Sequence, residues 1–229
     1  MIRALQAIVF DFDGVIANSE PLHLTAFQRA LADEDVELTA DDYYTRYLGY
    51  DDVGAFEALG RDRGLPMGPD RVAALVTRKG ERMQEMLRTG SVLFPGAIEF
   101  VREAAAVVPI AIASGALRHE IDEIIEAAGI ADLFAAIVAA GDTPESKPSP
   151  APYRLAFERL REQTGRDLDP RRSVAIEDSR WGLESARGAG LRLVGVTTSY
   201  AADELAGAEL VVEGLQVLTL RALDQLCAS

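Results

Sequence analysis

The sequence has few cysteines and few basic residues, and both shortages limit what the protein can be. Cys227 is the single cysteine among 229 residues, so an internal disulfide is excluded and no oxidising compartment is required. Lysine and arginine total 23 against 37 aspartates and glutamates, which gives a formal net charge of -14. Nucleic acid and anionic membrane surfaces repel such a chain at long range, so we expect neither as a partner.

Long hydrophobic runs are missing as well. No apolar stretch reaches the length needed to cross a bilayer, and the opening MIRALQAIVFDFDG has no small-residue cleavage site of the secretory type. We therefore expect a cytoplasmic protein, and we take a monomer as the default state. The hydrophobic content of 48% is enough for a substantial core, in one large domain or in a core with a smaller companion.

Short β-rich apolar runs alternate with segments of helical periodicity from residue 90 onward, and glycines lie at the ends of the helical segments. Together with AIVFDFD near the start, this βαβ repeat predicts an α/β fold, a Rossmann-like parallel sheet core with helices on both faces. The further predicted strands are PIAIAS, FAAIVAA, SVAIED, LRLVGVT and AELVVEG. The predicted helices between them are GAIEFVREAAAVV, LRHEIDEIIEAAG, PAPYRLAFERLREQTG and RWGLESARGAG.

The stretch between the first strand and the next βα unit contains no convincing strand. Four segments there have helical spacing and end at Gly, Pro or a capping residue: PLHLTAFQRALADEDV, TADDYYTRYLG, DDVGAFEALGRDRG and GPDRVAALVTRKGERMQEMLRTG. We predict an inserted all-α cap domain at 17–90 and an α/β catalytic core at 1–16 and 91–229. Ligands of open α/β sheets bind at the carboxyl ends of the strands, so we expect the cap to act as a lid there.

Polar side chains stand where the predicted strands end, and parallel strands bring their carboxyl ends to one edge of the sheet. Several carboxylates at one place need a cation, and carboxylate oxygens suit Mg²⁺ bridging to a substrate phosphate. A hydroxyl with backbone N–H groups at a helix start can receive phosphoryl oxygens, and an ammonium adds a positive charge for the same group. The residues concerned are Asp11, Asp13, Ser114, Gly115, Ala116, Lys147, Glu177 and Asp178.

Asp11 and Asp13 suit different steps of phosphoryl transfer. One carboxylate can attack phosphorus and form an aspartyl-phosphate, while the other protonates the leaving oxygen and then deprotonates water. The spacing of the two residues does not decide which takes which role.

The motifs DFDGV, IASGA, SKPSP and IEDSRWGLESARGAGLRLVGVTTSY resemble, in order and spacing, the four motifs of the haloacid dehalogenase superfamily. ANSEPLH followed by a helical insertion is similar to its β-phosphoglucomutase and sugar-phosphatase branch. The resemblance implies Asp11 as nucleophile, Asp13 as general acid/base, and Ser114 and Lys147 as phosphate binders. It implies a Mg²⁺ site formed by Asp11, the Asp13 main-chain oxygen, Glu177 and Asp178.

Three further residues are candidates for binding substrate, and one of them is part of the resemblance. His23 matches the cap-hinge histidine of the branch, Tyr50 is the best candidate in the cap for touching substrate, and Arg118 is a candidate for a remote anionic group. Asp13 argues against the dehalogenases, which lack this second aspartate. We expect a Mg²⁺-dependent phosphatase acting on a small phosphorylated metabolite, such as a sugar phosphate.

Two alternatives remain open. The mutases of the branch carry a Lys before the cap-loop glycine and an Arg three residues after it, whereas this chain has Leu48 and Asp52 around Gly49. That difference favours hydrolysis over a phosphosugar mutase. The other alternative is a non-catalytic phosphate-sensing protein, against which the full set of catalytic carboxylates argues.

Overall fold

The computed structural model describes residues 3–48, 50–87 and 92–228. The chain divides into two compact units, Met1–Asn18 with Val92–Ser229, and Ser19–Ser91. The predicted boundary at 90/91 and the cap-loop Gly49 lie outside the described residues. The roles of the units as catalytic core and cap remain a prediction. Throughout the described ranges, no helix combines the length and apolar character of a membrane span.

The secondary structure follows the predicted alternation of strands and helices. The strands are β1 Ala7–Phe10, β2 Ile110–Ala113, β3 Phe134–Val138, β4 Ser173–Glu177, β5 Arg192–Val196 and β6 Leu210–Val212. The helices are α1 Glu20–Ala32, α2 Ala40–Asp42, α3 Asp52–Arg63, α4 Pro69–Leu87, α5 Ala97–Ala105, α6 Arg118–Ala127, α7 Ala151–Thr164, α8 Arg180–Gly188 and α9 Leu220–Ala228.

The larger unit is built on one six-stranded sheet with the order β3-β2-β1-β4-β5-β6. All neighbouring strands pair in parallel. The predicted Rossmann-like α/β fold is therefore confirmed. The first strand lies in the middle, and the chain fills one side of the sheet before it crosses to the other. This switch point lies between β1 and β4, where open α/β sheets bind their ligands.

The strands are apolar because the sheet is covered on both faces. In β1, Ala7 and Val9 join a cluster that includes residues of α7 and α8. Phe10 points the other way, because successive strand residues alternate between faces, and its ring packs edge-on against Phe100 of α5 at 6.2 Å between centroids. Both β1 and β2 are buried along their whole length. A strand buried on both sides has no polar face, which explains the continuous apolar runs.

The smaller unit is all helical and has its own core. Phe27 of α1 packs against Phe56 of α3, with 4.9 Å between the ring centroids, and Leu75 of α4 joins the same cluster. The Asp51 side chain accepts a hydrogen bond from Gly54 N–H and so caps the start of α3. Gly64 ends that helix in the left-handed conformation, which glycine adopts at low cost.

The predicted helix over residues 39–49 differs from the structure. Thr39 caps α2, which lasts three residues and continues as a π-helical segment, Tyr43–Tyr47. Tyr43 and Tyr47 are both buried, and the Tyr43 hydroxyl donates to Glu20 at 2.8 Å. Tyr43 and Tyr47 are four residues apart, so a regular helix would also place them on one face; what the sequence did not indicate is the π-helical turn between them.

The N-terminal segment is tied to the last helix by one carboxylate. Asp224 Oδ1 accepts backbone hydrogen bonds from Arg3, Ala4 and Leu5 at 2.9, 2.6 and 3.0 Å. These bonds hold the pKa of Asp224 below its usual value. Hydrogen bonds to an ionised acceptor are stronger than neutral ones, so Asp224 fixes the segment that leads into β1.

Replacing Asp224 with asparagine tests this anchor. We expect Asp224→Asn to lower the free energy of unfolding at pH 7 by about 1 kcal/mol. The effect is small for three hydrogen bonds because water screens the charge of this partly exposed carboxylate. Because the folded pKa is depressed, the loss should shrink as the pH falls below about 4. Urea unfolding measures both effects, with the exposed Asp203→Asn as matched control. Equal unfolding midpoints for the two variants at pH 7 would contradict the anchor.

Candidate active site

Three carboxylates meet at the carboxyl ends of the two central strands. Asp11 follows β1, Glu177 ends β4 and Asp178 follows it, and the pairing of Phe10 with Ile176 sets these strand ends side by side. The three side chains each offer an oxygen within 4.8 Å of the others, and all three residues are buried. The structure thus brings together four of the predicted site residues, because Lys147 contacts this cluster directly.

Lys147 lies between two of the carboxylates. Its Nζ is 2.9 Å from Asp11 Oδ1 and 2.6 Å from Glu177 Oε1, and it stands 5.1 Å from the centroid of the Tyr153 ring. Burial opposes the charge, but the Asp11 and Glu177 carboxylates outweigh it and raise the pKa of Lys147 above its usual range. The ammonium therefore stays charged at neutral pH and holds both carboxylates in place.

Glu177 is fully buried and accepts hydrogen bonds at both oxygens. Oε1 accepts from Lys147 and from the Tyr153 hydroxyl at 3.0 Å. Oε2 accepts from the backbone N–H groups of Asp178 and Ser179 at 3.1 and 3.2 Å, and from the Ser179 hydroxyl at 3.1 Å. In this arrangement Glu177 orients Lys147 and the turn that carries Asp178. Its role as a direct metal ligand remains a prediction.

The charge of the cluster fits a divalent cation. Three carboxylates face one ammonium among the described residues, so full ionisation of all three would leave two formal negative charges without a counter-charge in a buried site. Burial and the neighbouring Glu177 raise the pKa of Asp11, and the same two causes raise the pKa of Asp178 to about 7. Carboxylate oxygens are hard ligands of the kind that bind Mg²⁺, so the donor set suits this ion.

Asp13 and Ser114 lie on loops at the same edge of the sheet. Asp13 is half-buried, and its charge contributes to the raised pKa of Asp178. Ser114 follows β2 and is buried, and its hydroxyl oxygen accepts from Ala116 N–H at 3.0 Å. Gly115 between them is exposed. This compact turn before α6 is the predicted phosphate receptor.

Two glycines allow the loops to approach the carboxylates. Gly14 has φ +77°, and a Cβ there would overlap the Asp178 carboxylate. Gly182 lies in the first turn of α8, and a Cβ there would overlap the Glu177 carboxylate. Both positions need glycine because a buried charged group occupies the space of a side chain.

Arg118 is directed to a different partner. At the start of α6 its Nε–H is shared between the two carboxylate oxygens of Asp122, each at 2.9 Å, and its side chain is exposed. Together with Arg159 it lines a groove of about 410 Å³ beside the edge strand β3. No described contact tests the predicted role of Arg118 in binding a substrate anion, which stays a prediction.

The smaller unit contains a buried ion pair that the sequence did not reveal. Lys79 is 1% exposed, and its Nζ lies 3.0 Å from Asp52 Oδ2 and 2.8 Å from His23 Nδ1. Desolvation of the ring, and then the Lys79 charge, lower the pKa of His23 to about 3. His23 is thus a neutral acceptor at pH 7. Tyr50, the other candidate in this unit, is 52% exposed.

Tyr153 and Lys79 are the residues that sequence reasoning missed. Tyr153 occupies an apolar position of α7, and Lys79 lies on an amphipathic helix rich in charged residues. The periodicity of α7 does indicate that Tyr153 is buried, and a buried tyrosine usually finds a partner for its hydroxyl. No comparable signal marks Lys79, because most helical lysines are solvated.

Known proteins match this chain over nearly its whole length. The model of haloacid dehalogenase-like hydrolases matches residues 5–190. Protein CbbY of Rhodobacter capsulatus is 32% identical, over 97% of this chain and 99% of its own. A phosphorylated carbohydrates phosphatase of Thermotoga maritima is 26% identical, over 94% of this chain and 98% of its own length. The crystal structure of CbbY from Rhodobacter sphaeroides with xylulose-(1,5)bisphosphate has a TM-score of 0.85 at 30% identity. The match covers 96% of this chain and 99% of that one.

A matched pair of helical glycines tests the packing around Glu177. Gly182→Ala should lower the free energy of unfolding by at least about 2 kcal/mol, because its methyl group displaces the buried carboxylate. Gly80 of α4 has open space at the same point, so Gly80→Ala should raise it by about 0.5–1 kcal/mol through helix propensity. Thermal and urea unfolding measure both. A stabilising Gly182→Ala would contradict the close approach.

The pKa of His23 predicts how stability depends on pH. His23 has a pKa of about 3 when folded and 6.5 as the reference value, so the unfolded chain binds more protons between these values and acid favours unfolding. Between pH 7 and pH 5, wild type should lose about 1–2 kcal/mol more stability than His23→Gln. Urea unfolding at both pH values measures this. The exposed His119→Gln is the control and should follow wild type; equal pH dependence in all three proteins would refute the prediction.

Proposed function

The chain belongs to the haloacid dehalogenase-like hydrolase family and is a phosphatase of that family, and from this premise we propose its reaction. It hydrolyses a small phosphorylated sugar with Mg²⁺, through an aspartyl-phosphate on Asp11. The observation that carries the proposal is the buried cluster of Asp11, Lys147, Glu177 and Asp178 at the switch point of the sheet.

Asp11 is the proposed nucleophile. Its carboxylate attacks phosphorus, the bond between phosphorus and the sugar oxygen breaks, and the phosphoryl group is transferred to Asp11. Burial raises the pKa of this carboxyl, while the Lys147 contact of 2.9 Å opposes that rise and favours the ionised form needed for attack. The Phe12 N–H donates to the same Oδ1 at 2.7 Å and helps to orient the carboxylate.

Asp13 is the proposed general acid and base. It gives its proton to the sugar oxygen as that group leaves, and then takes a proton from the water that attacks the phosphoryl group on Asp11. The second attack breaks the bond between phosphorus and Asp11, releases inorganic phosphate and restores the enzyme. One carboxyl group can serve both steps because the proton that it loses in the first is regained in the second.

The remaining residues bind charge. Asp11, Asp178, Glu177 and the Asp13 main-chain oxygen would hold Mg²⁺. When bound, this ion neutralises the carboxylates and the developing phosphoryl charge. Ser114, the N–H groups of Gly115 and Ala116, and Lys147 bind the phosphoryl oxygens in the proposal. Their placement at strand and helix ends supports this role.

The proposed substrate class is phosphorylated sugars. The R. sphaeroides CbbY structure holds xylulose-(1,5)bisphosphate, and the T. maritima relative is named for phosphorylated carbohydrates. We carry His23 into the proposal as a substrate-binding residue because it matches the cap-hinge histidine of the branch. Tyr50 and Arg118 enter it as candidates from their positions after Gly49 and at the start of α6. A cytoplasmic monomer, with neither nucleic acid nor membrane as partner, remains part of the proposal.

The contacts around the cap loop favour hydrolysis over mutase action. Leu48 packs against the hydrophobic core of the smaller unit, and Asp52 is ion-paired with the buried Lys79. Neither residue provides a positive charge for a second phosphate. We therefore keep the mutase as an outcome of the experiment and propose the phosphatase.

Release of inorganic phosphate from a panel of sugar mono- and bisphosphates tests the function. Wild type should turn over only with Mg²⁺ and stop with EDTA, and Asp11→Asn should lower kcat by at least about 1,000-fold. Peptide mass analysis of acid-quenched wild type should detect phosphate on Asp11. The exposed Asp203→Asn is the matched control and should keep full activity.

Two results would overturn this function. One is the absence of metal-dependent turnover across the whole panel, which would favour a phosphate-sensing protein. The other is efficient conversion of β-glucose 1-phosphate, with its 1,6-bisphosphate, into glucose 6-phosphate. That conversion would identify a mutase.

A further inference from the structure

The loop after β5, residues 197–200, contacts the loops that follow β1 and β4 at the carboxylate cluster. The Thr198 hydroxyl donates to the Gly14 carbonyl, in the turn that follows Asp13. Ser199 Oγ and the Asp178 carboxylate lie against the same point beside Gly14. The interaction of this hydroxyl with the carboxylate lowers the pKa of Asp178, against the effect of burial. The loop itself is held to the sheet where Thr197 N–H bonds to the Val212 carbonyl of β6 at 3.0 Å. Two successive hydroxyls thus reach two different parts of the site.

These two contacts meet at Gly14. A Cβ built on Gly14 would overlap the Asp178 carboxylate, and it would lie 3.0 Å from Ser199 Oγ. The turn, the carboxylate and the serine hydroxyl therefore crowd one small space. The Gly14 turn and Ser199 thus both limit the space that the Asp178 carboxylate can occupy.

An aromatic contact joins the same loop to α8. The rings of Tyr200 and Trp181 are 6.0 Å apart at 75°, an edge-to-face arrangement. Trp181 lies in the first turn of α8, whose capping residue Ser179 directly follows Asp178. The Arg180 guanidinium lies 4.4 Å from the Trp181 ring centroid, and Tyr200 packs against the core cluster of the sheet. The loop thus contacts the Gly14 turn through Thr198 and the start of α8 through Tyr200, and Asp178 lies close to both contacts.

We propose that this loop is a positioning element for the metal site, in which Ser199 and Thr198 fix the Asp178 carboxylate and the Gly14 turn, and the Tyr200 ring holds the loop in place. The proposal rests on the Mg²⁺ site of the proposed function. A carboxylate rotates freely about its last torsion, so a ligand without an outer partner loses entropy when it binds a cation. Hydrogen-bonded partners of this kind typically contribute 10-fold to 100-fold to metal affinity.

A purely structural role for the loop makes a different prediction. If Ser199 only stabilised the fold, its loss would lower the melting temperature but leave the affinity for Mg²⁺ unchanged. If Ser199 positions Asp178, affinity falls even where the fold is intact. Conservative replacement by threonine keeps the hydroxyl and should restore affinity.

The sole tryptophan provides a direct readout, because Trp181 lies three residues after Asp178 and contacts the loop. Mg²⁺ alone is titrated into the full-length protein, and the dissociation constant is taken from Trp181 emission and, independently, from the rise in melting temperature. Ser199→Ala should weaken Mg²⁺ binding by about 10-fold or more, and Ser199→Thr should remain within about 3-fold of wild type. Tyr200→Ala should weaken binding while Tyr200→Phe, which keeps the ring, should not.

Thr164→Val is the matched control. It removes a hydroxyl that donates to the Leu160 carbonyl at 2.7 Å near the end of α7, and it should leave Mg²⁺ affinity at the wild-type value. In activity assays, Ser199→Ala should need more Mg²⁺ for half-maximal rate but approach the wild-type kcat at saturating metal.

The outcomes separate this inference from the proposed function. If wild type binds Mg²⁺ and Ser199→Ala binds it with the same affinity, the inference is overturned and the proposed function still stands. Equal weakening in Ser199→Ala and Ser199→Thr overturns it as well, because the hydroxyl would then be irrelevant. A wild type that shows neither an emission change nor a thermal shift with Mg²⁺ overturns the metal site, and the inference with it.

Discussion

The ammonium of Lys147, shared between two buried carboxylates, is the interaction on which the site depends. Without it, Asp11 and Glu177 would be like charges in a poorly hydrated space, and burial would favour their neutral forms. A buried ion pair of this kind contributes little net stability, since desolvation offsets most of the attraction. Its value is chemical: in the proposed reaction, the ammonium favours the ionised form of Asp11 against the effect of burial.

Much of the fold and of the cluster could be predicted because both depend on local sequence pattern. A strand buried on both faces must be apolar, and a parallel sheet must gather its strand ends, so Asp11, Glu177 and Asp178 could be placed together from the position of each in its own run. The π-helical segment at Tyr43–Tyr47 was not predictable, because the core of the smaller unit decides its spacing.

Residues that act through contacts distant in sequence were harder to find. Tyr153 bonds to Glu177 and Lys79 bonds to His23, and in each case the partner comes from another element. Periodicity indicates which face of a helix is buried, but it does not identify what the polar end of a buried side chain will meet. Ser199 belongs to the same class, since its partner lies on the loop after a different strand.

The central place of β1 has a consequence for how the chain folds during synthesis. β1 pairs with β2, which begins at Ile110, and with β4, which ends at Glu177, so these pairings cannot form until the two later strands have been synthesised. Contacts of such long sequence separation fold slowly, and an apolar strand left unpaired invites association with other chains. The Asp224 anchor comes later still, on the last helix. Asp11 is therefore present from the first strand, but its carboxylate neighbours Glu177 and Asp178 join it only after β4 has been made.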